Sequence, residues 1–208
     1  MIAIVDYGVG NLDSVRQAFE RVGAPAIVTR DPEALRNAER LVLPGVGAFG
    51  ACMEALLGSG LLPAIDEAVR RDQKPLLGIC VGMQILASEG EEGGTLAGLG
   101  WIPGRVRKLV PARAELRLPH MGWNEAHVAR PHPVFGGLTG KSSFYFVHSY
   151  AFEPASATDV VATCDYGGEF VCAIARDNIV ATQFHPEKSQ EDGFVLLEGF
   201  ARWKPQAR

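Results

Sequence analysis

The sequence has few of the features that mark secreted, metal-binding or membrane proteins. It holds only four cysteines in 208 residues, at positions 52, 80, 164 and 172, without a C-x-x-C pair or a histidine at zinc-ligand spacing. We therefore expect reduced thiols, with no disulfide framework, no metal and no cofactor. No apolar run approaches membrane-spanning length, and the N-terminal run Ile2–Val5 is too short for a signal peptide. A cytoplasmic protein that does not enter a membrane is predicted.

Basic residues are also sparse. Twenty Lys and Arg stand against 24 Asp and Glu, for a net charge of −4, and the one notable basic cluster is Arg105, Arg107 and Lys108. A nucleic-acid partner is not expected, because a phosphate-binding surface needs more positive charge. A hydrophobic content of 47% in a chain of this length is enough for a full core. With no linker, repeat or low-complexity tract, the sequence predicts one domain over residues 1–208.

The first half of the chain alternates short β-branched runs with amphipathic segments. The strands predicted there are Ile2–Val5, Ala26–Thr29, Leu41–Leu43 and Lys74–Ile79. The predicted helices are one that carries Val15, Ala18, Phe19 and Val22 on one face, one begun by Asp31 and Pro32, and two more near Ala51–Leu57 and Leu61–Arg71. This alternation predicts an α/β fold with a mainly parallel open sheet flanked by helices, and a site at the carboxyl ends of its strands.

The second half has a different pattern, in which strand-like runs are separated by turns. These runs are Arg105–Leu109, Ser143–Val147, Val160–Cys164, Phe170–Ala175 and Ile179–Phe184, and a helix over Asp192–Trp203 follows them. We expect extra antiparallel strands from this part of the chain.

Cys80 lies within the run Gly78-Ile79-Cys80-Val81-Gly82, between a predicted strand and a helix that opens over Met83–Ala87. A sharp strand-to-helix turn of this kind exposes a nucleophile, and the two glycines remove Cβ atoms that would crowd it. The N-terminus of the helix favours a thiolate over a thiol. A lone cysteine is often an inert core residue, so a second signal is needed.

That second signal is His185-Pro186-Glu187. If the strand before it continues in extended form, His185 and Glu187 leave the same face, and the carboxylate can orient the imidazole. Pro186 restricts the backbone between them. Nucleophile, base and orienting acid together predict a cysteine-based acyl-transfer enzyme.

Gly8-Val9-Gly10 suggests a dinucleotide-binding turn, with Asp31 about twenty residues further on. The third glycine of that fingerprint is missing, and Asp13 in its place would put a carboxylate near a pyrophosphate. We do not expect a nucleotide site.

The residues around Cys80 and His185 resemble the class I, triad-type glutamine amidotransferases over nearly the whole chain. Further motifs narrow the resemblance to one member, a glutaminase subunit in amino-acid biosynthesis. They are Asp6-Tyr7-Gly8-Val9-Gly10-Asn11, Pro44-Gly45-Val46-Gly47, Pro119-His120-Met121-Gly122-Trp123-Asn124, Phe146-Val147-His148-Ser149-Tyr150 and Gln183-Phe184-His185-Pro186-Glu187-Lys188-Ser189. The resemblance implies a flavodoxin-like fold.

It also implies a mechanism. Cys80 attacks the side-chain amide of L-glutamine to form a thioester, His185 protonates the departing ammonia and activates water, and Glu187 orients His185. The oxyanion hole is formed by the N–H of Val81 and, after a peptide rearrangement, by that of Val46. The family positions that bind glutamine correspond here to Gly45, Gly47, Gln84, Glu92, Ser149 and Tyr150. From the residues alone, Gln84 could equally be a core capping group and Glu92 a solvated loop charge.

Ammonia must be consumed, and a chain that ends at Arg208 leaves no room for a synthase domain. The family pairs this subunit with a separate (β/α)8 cyclase barrel as a heterodimer, and the matching motifs place Asn11, Trp123, Asn124 and Lys188 toward it. A core position is the alternative for Trp123, although its glycine and asparagine neighbours favour a loop. Two other interpretations remain open: a glutaminase for a different synthase, such as the one that makes pyridoxal phosphate, and a silent regulatory binding module.

Overall fold

The computed structural model describes residues 1–113, 115–138 and 142–205. Its strands are β1 (Ile2–Val5), β2 (Ala26–Thr29), β3 (Arg40–Gly45), β4 (Leu76–Cys80), β5 (Glu89–Gly90), β6 (Leu96–Ala97), β7 (Gly104–Lys108), β8 (His120–Val128), β9 (Ser142–His148), β10 (Tyr150–Pro154), β11 (Val160–Asp165), β12 (Glu169–Arg176) and β13 (Ile179–Thr182). Its α-helices are α1 (Leu12–Arg21), α2 (Pro32–Asn37), α3 (Phe49–Gly58), α4 (Leu62–Asp66), α5 (Val81–Gln84) and α6 (Gln190–Arg202). A π-helical turn, Glu67–Arg71, continues α4, and 3₁₀ turns cover Pro133–Phe135, Ala157–Asp159 and Pro186–Lys188.

A large mixed sheet organises the fold. Within the described residues it has nine strands in the order β2-β1-β3-β4-β13-β12-β11-β8-β9. The strands from β2 to β13 in this order are parallel to their neighbours, and those from β12 to β9 are antiparallel. A smaller sheet has the order β10-β7-β5-β6. The predicted α/β fold, with antiparallel strands added by the second half of the chain, is confirmed.

The parallel strands lie in the core because helices cover the sheet. Every residue of β1, β4 and β13 is buried, which is the pattern of strands packed on both faces. Helix α1 buries Val15, Ala18 and Phe19, as its periodicity predicts. The cap of α2 is also as predicted, since the Asp31 carboxylate accepts a hydrogen bond from the backbone N–H of Glu33 at 2.9 Å.

The described part of the chain contains no single helix long and apolar enough to cross a membrane. One pair of helical segments, Phe49–Gly58 and Leu62–Arg71, reaches that length and composition only when taken together, and it is bent by 96°.

Several predicted boundaries were wrong. β3 runs through Pro44 to Gly45, β13 stops at Thr182, and the helix after Cys80 is a single turn that begins at once, at Val81. Strands β5, β6, β8 and β10 were not predicted. The sequence of β8 contains Gly122, Asn124 and Glu125, which are poor strand formers, and its pairing with β9 supplies the stability instead.

A contact between two main chains fixes the turn after β4. A Cβ atom added to Gly82 would lie 1.9 Å from the carbonyl oxygen of Leu43, and one added to Gly45 would lie 2.5 Å from the backbone nitrogen of Gly82. Gly82 is therefore required so that β3 and this turn can approach closely. The role predicted for Gly82 from the sequence was a different one, namely to leave space around the Cys80 side chain.

This contact predicts the effect of adding one methyl group. Gly82→Ala should lower the free energy of unfolding by on the order of 3 kcal/mol, because neither of the two backbones can move aside easily. Gly58→Ala is the matched control. Gly58 is the last residue of α3 and has open space around its Cα, so this change should stabilise the protein by about 0.5 to 1 kcal/mol. Urea unfolding of both variants measures the difference in the free energy of unfolding. Equal effects of the two substitutions would contradict the claim that the close approach of the two main chains requires Gly82.

Candidate active site

Three neighbouring parallel strands bring the predicted site residues to one edge of the sheet. Gly45, at the end of β3, pairs in register with Cys80, at the end of β4. On the other side of β4, Ile79 pairs with Thr182, so the segment that leads to His185 leaves β13 at the same edge. The site therefore lies at the carboxyl ends of the strands, where the sequence predicted it.

Cys80 sits at a strained corner. Its φ of +55° and ψ of −111° are unusual for a residue with a side chain, and it immediately precedes α5. Strain of this kind is typical of a nucleophile elbow. The side chain is buried, and its sulfur lies 3.9 Å from the carbonyl oxygen of Val147.

His185 and Glu187 form a buried pair, but through a backbone different from the predicted one. The strand does not continue to His185. Pro186 instead begins a 3₁₀ turn, and this turn places Glu187 Oε1 2.7 Å from His185 Nδ1. Pro is well suited to the first position of a helical turn because its missing N–H is not needed there. The backbone N–H of His185 is anchored to the carbonyl of Tyr145 at 3.0 Å.

The protonation of His185 depends on its two neighbours. Burial by itself favours the neutral imidazole, but the hydrogen bond to Glu187 and the attraction of the nearby Cys80 and Glu187 charges outweigh burial and raise the pKa of His185 to about 9. Nε2 of His185 is buried and makes no hydrogen bond to any described residue. It is therefore available to interact with the Cys80 sulfur or with a ligand in front of it. An imidazolium next to a cysteine can serve as a general acid.

A cavity of about 400 Å³ opens in front of Cys80. This volume suits a small-molecule ligand. Its lining consists of Val46, Gly47, Cys80, Val81, Gln84, Glu92, Pro119, Val147, His148, Ser149, Tyr150, His185 and Lys188. Most of the sequence-predicted substrate and oxyanion positions are thus brought together, whereas Gly45 packs behind the lining against Gly82. Pro119, Val147 and His148 were not predicted to line the site, although all three fall within the motifs or at their ends.

Two predicted substrate residues are already engaged within the protein. Gln84 Nε2 lies 3.0 Å from the carbonyl oxygen of Tyr150 and 3.0 Å from Oε1 of Gln183, so both amide protons are donated internally. What remains for a ligand is the Gln84 oxygen, which is an acceptor. Glu92 Oε2 accepts a hydrogen bond from the backbone N–H of Phe49 at 2.7 Å, at the start of α3, so Glu92 is more than a solvated loop charge.

The turn after β3 is held from behind by two buried side chains. The Tyr7 hydroxyl donates to the carbonyl of Pro44 at 2.6 Å, and the Cys52 thiol donates to that of Val46 at 3.2 Å. Val46 itself is 38% exposed. Burial raises the pKa of the Cys52 thiol, which keeps it in the form that can donate.

Behind Tyr150 lies a buried pair of imidazoles. His148 Nδ1 is 2.8 Å from the Tyr150 carbonyl oxygen, and His148 Nε2 is 3.0 Å from His120 Nδ1. The remaining nitrogen of His120 is 3.3 Å from Asn124 Nδ2. Burial lowers the pKa of His120 to about 4 and that of His148 to about 3, so both rings are neutral at pH 7.

The four predicted partner-facing residues do not share one environment. Asn11 and Lys188 are exposed, and Lys188 also lines the cavity. Trp123 is 50% exposed, so the core alternative was wrong, but it lies in β8 and not in a loop. The Asn124 side chain is turned inward, where it donates to the carbonyl of Asp165 at 2.8 Å.

Comparison with known proteins identifies the family and the fold of this chain. Residues 3–201 match the family model described as glutamine amidotransferase class-I. The fold is also that of a solved structure described as a glutamine amidotransferase, with a TM-score of 0.72, 21% identity, and coverage of 95% of this chain and 98% of the other. A second solved structure, PurLQS from Thermotoga maritima, has a TM-score of 0.71 at 19% identity and covers 96% of each of the two chains.

Curated relatives show which group of glutamine amidotransferases the chain resembles. Imidazole glycerol phosphate synthase subunit HisH of Caulobacter vibrioides is 45% identical, over 98% of this chain and 99% of the relative. The protein of the same name from Syntrophotalea carbinolica is 50% identical, over 96% and 98%. The chain belongs to the class-I glutamine amidotransferase family, and within it to the group of HisH subunits of imidazole glycerol phosphate synthase. The glutamine amidotransferase activity and the synthase subunit that the motifs predict are thereby confirmed.

The neutral histidine pair predicts how stability depends on pH. Because the folded-state pKa values of His120 and His148 lie below the ordinary value of 6.5, the unfolded chain binds more protons than the folded one between about pH 6.5 and 4. Stability should therefore fall as the pH drops through this window, by on the order of 4 kcal/mol between pH 7 and 5, with about 2 kcal/mol from each histidine.

Urea unfolding at pH 7 and pH 5 measures that loss. His120→Phe, which retains the stacking on Phe146 and Tyr166 but cannot titrate, should show a smaller loss than the wild type. His127→Gln, an exposed change on the same strand, is the control and should leave the pH dependence unaltered. A His120→Phe protein with the full wild-type loss would exclude this explanation.

Proposed function

We propose that the cavity binds L-glutamine and that Cys80 attacks the carbon of its side-chain amide. The observation that carries the proposal is the strained Cys80 at one wall of a 400 Å³ cavity, with the His185–Glu187 pair beside it. The attack forms a tetrahedral intermediate, which collapses to a Cys80 thioester as ammonia leaves. Water then attacks the thioester and releases glutamate.

Each step has a candidate group. His185, held protonated by its neighbours, gives its proton to the leaving ammonia and afterwards accepts one from the attacking water. Glu187 holds the ring in place. The N–H of Val81, in the first turn of α5, has no partner within the helix and is a suitable oxyanion donor. Val46 supplies the second donor when its peptide points N–H toward the cavity.

The rest of the cavity fits the two charged groups of an amino acid. The Gln84 oxygen and the Glu92 carboxylate suit an ammonium group, while the loop at Ser149 and Tyr150 and the backbone at Gly47 can offer donors to a carboxylate, with Gly45 supporting this turn from behind the cavity lining. We assign substrate binding to these residues.

The assignment of Cys80 predicts a clean separation of two activities. In complex with the cyclase, Cys80→Ala should lower glutamine-dependent synthesis by about a thousandfold or more, because the nucleophile is lost. Synthesis from added ammonium salts should persist, since that chemistry belongs to the other chain. Cys164→Ala, a buried free cysteine in β11 outside the cavity lining, should retain both activities. Loss of both in Cys80→Ala would show that the residue is structural.

We further propose that ammonia passes to a separate (β/α)8 cyclase subunit in a heterodimer of histidine biosynthesis. The exposed Trp123, Asn11 and Lys188 lie on the motifs that would meet it, and Lys188 reaches from that surface into the cavity lining. Asn124 would act from behind this surface. Four free cysteines favour a reducing compartment such as the cytoplasm. A single buried cluster that joins both sheets supports one domain over residues 1–208.

The turn after β3 predicts control by the partner. The N–H of Val46 belongs to the peptide between Gly45 and Val46, and the glycine on that side lets this peptide rotate at little steric cost. The bond from Cys52 to the Val46 carbonyl holds only the next peptide, between Val46 and Gly47. A missing oxyanion donor costs roughly a hundredfold in rate. Glutamine turnover should thus be slow in the isolated protein, and rise by about that factor with the barrel and its nucleotide ligand. Steady-state assays of the protein by itself, with the barrel, and with the barrel plus ligand measure this, and identical rates in all three would exclude the switch.

A further inference from the structure

The sulfur of Cys80 has a buried amide neighbour that the catalytic triad does not use. Gln183 follows β13 directly and is fully buried, with an exposure of 0%. Its Nε2 lies 3.6 Å from the sulfur of Cys80, within the range of a hydrogen bond to sulfur. The other amide atom, Oε1, is 3.0 Å from Gln84 Nε2.

The neighbours of Gln183 determine which way its amide points. The carbonyl oxygen of Tyr150 can only accept, so the atom of Gln84 that faces it at 3.0 Å must be nitrogen. The same nitrogen faces Gln183, and a nitrogen there requires an oxygen opposite. The NH₂ group of Gln183 therefore faces Cys80, and the reverse orientation would bring two NH₂ groups together.

The Tyr150 carbonyl is in turn fixed by the histidine pair. His148 donates to it from Nδ1, which leaves Nε2 of His148 to accept from His120 Nδ1. His120 then accepts at Nε2 from Asn124, whose NH₂ also donates to the carbonyl of Asp165 and whose oxygen accepts from the N–H of Glu125 at 2.8 Å. These side chains form one row of hydrogen bonds, which runs from Asn124 on β8 through His120, His148, the Tyr150 carbonyl, Gln84 and Gln183 to the Cys80 sulfur. Backbone groups along this row determine which atom of each side chain is the donor.

We propose that Gln183 is a further catalytic residue, whose amide N–H donates to the Cys80 sulfur and stabilises it as the attacking thiolate. This proposal deepens the proposed function and rests on it. A donor to sulfur gains strength as negative charge develops there. The donor also offsets the unfavourable effect of the Val147 carbonyl oxygen, which lies 3.9 Å from the same sulfur and disfavours a negative charge there. Gln84 and Tyr150 act as positioning residues for this donor.

Alkylation of Cys80 in the complete chain tests the proposal without the partner and without glutamine. The rate of reaction with iodoacetamide is followed against pH, and mass spectrometry of the Cys80 peptide separates it from the three other cysteines. Gln183→Glu keeps the size of the side chain and an oxygen for Gln84, but puts a carboxylate where the N–H was. Its midpoint should move to higher pH, and its rate at pH 7 should fall about tenfold or more, the size expected for losing one hydrogen bond to a charged group.

Two further variants separate this effect from others. Gln183→Met removes the donor without adding charge, and its midpoint should shift in the same direction by a smaller amount. Asn178→Asp alters another buried amide, which bonds to the carbonyls of Val69 and Lys74 at the opposite end of β13, and should leave the midpoint unchanged. The native titratable groups around the sulfur, namely His185 with Glu187, His148, Tyr7 and Cys52, are unchanged in all of these proteins, and only Gln183→Glu adds a further carboxyl beside it.

The outcomes are distinct. A wild-type midpoint in both Gln183 variants, with urea unfolding showing that they are folded, would overturn the role of Gln183 alone. A shift in Asn178→Asp equal to that in Gln183→Glu would also overturn it, because the effect would then be a general loss of packing. If Cys80 in the wild type were the slowest of the cysteines, or Cys80→Ala kept glutaminase activity, the proposed function itself would fail.

Discussion

The turn after β4 packs main chain against main chain on β3, and the geometry of the active site depends on that contact. Gly82 lies against the carbonyl of Leu43, and Gly45 against the backbone nitrogen of Gly82. The approach places the nucleophile and the flexible turn of Val46 side by side at the ends of two paired strands. Strand β13, on the other side of β4, delivers His185 to the same edge. An acyl-transfer site needs these groups within a few ångströms of one another, and the parallel register supplies that without any long-range loop.

A second constraint comes from polar groups that cannot reach water. Gln84, Gln183, His120 and His148 are all buried, and an unpaired amide or imidazole in such a place would be costly. Each is satisfied by the next, so the identity of one side chain fixes the orientation of its neighbour. The row begins at Asn124 on β8, the strand that also presents Trp123 to solvent, and ends at the Cys80 sulfur. The exposed surface and the nucleophile are thereby parts of one connected structure.

Helix α3 links the substrate cavity to the oxyanion turn in a similar way. The N–H of Phe49, its first residue, donates to Glu92 in the cavity wall, and one turn later its Cys52 contacts the carbonyl of Val46. A ligand that draws on the Glu92 carboxylate therefore touches the same helix that holds the turn. The sheet supplies the rigid part of the site, whereas the residues between β3 and α3 supply the part that can change.

The sequence by itself determined the chemistry and the first half of the fold. The features that carried these predictions are local patterns: Cys80 between glycines, the His185-Pro186-Glu187 run, and the alternation of strands and helices. Such patterns can be recognised without knowing which residues are in contact in the folded protein. Tertiary structure decided what depends on distant partners. The pairing of β8 with β9 makes a strand from residues of low strand propensity. Pro186 starts a 3₁₀ turn where an extended chain was predicted, because β13 has already ended at Thr182. The contact of Gln183 with Cys80 joins residues 103 positions apart, and only the packing of the sheet could bring them together.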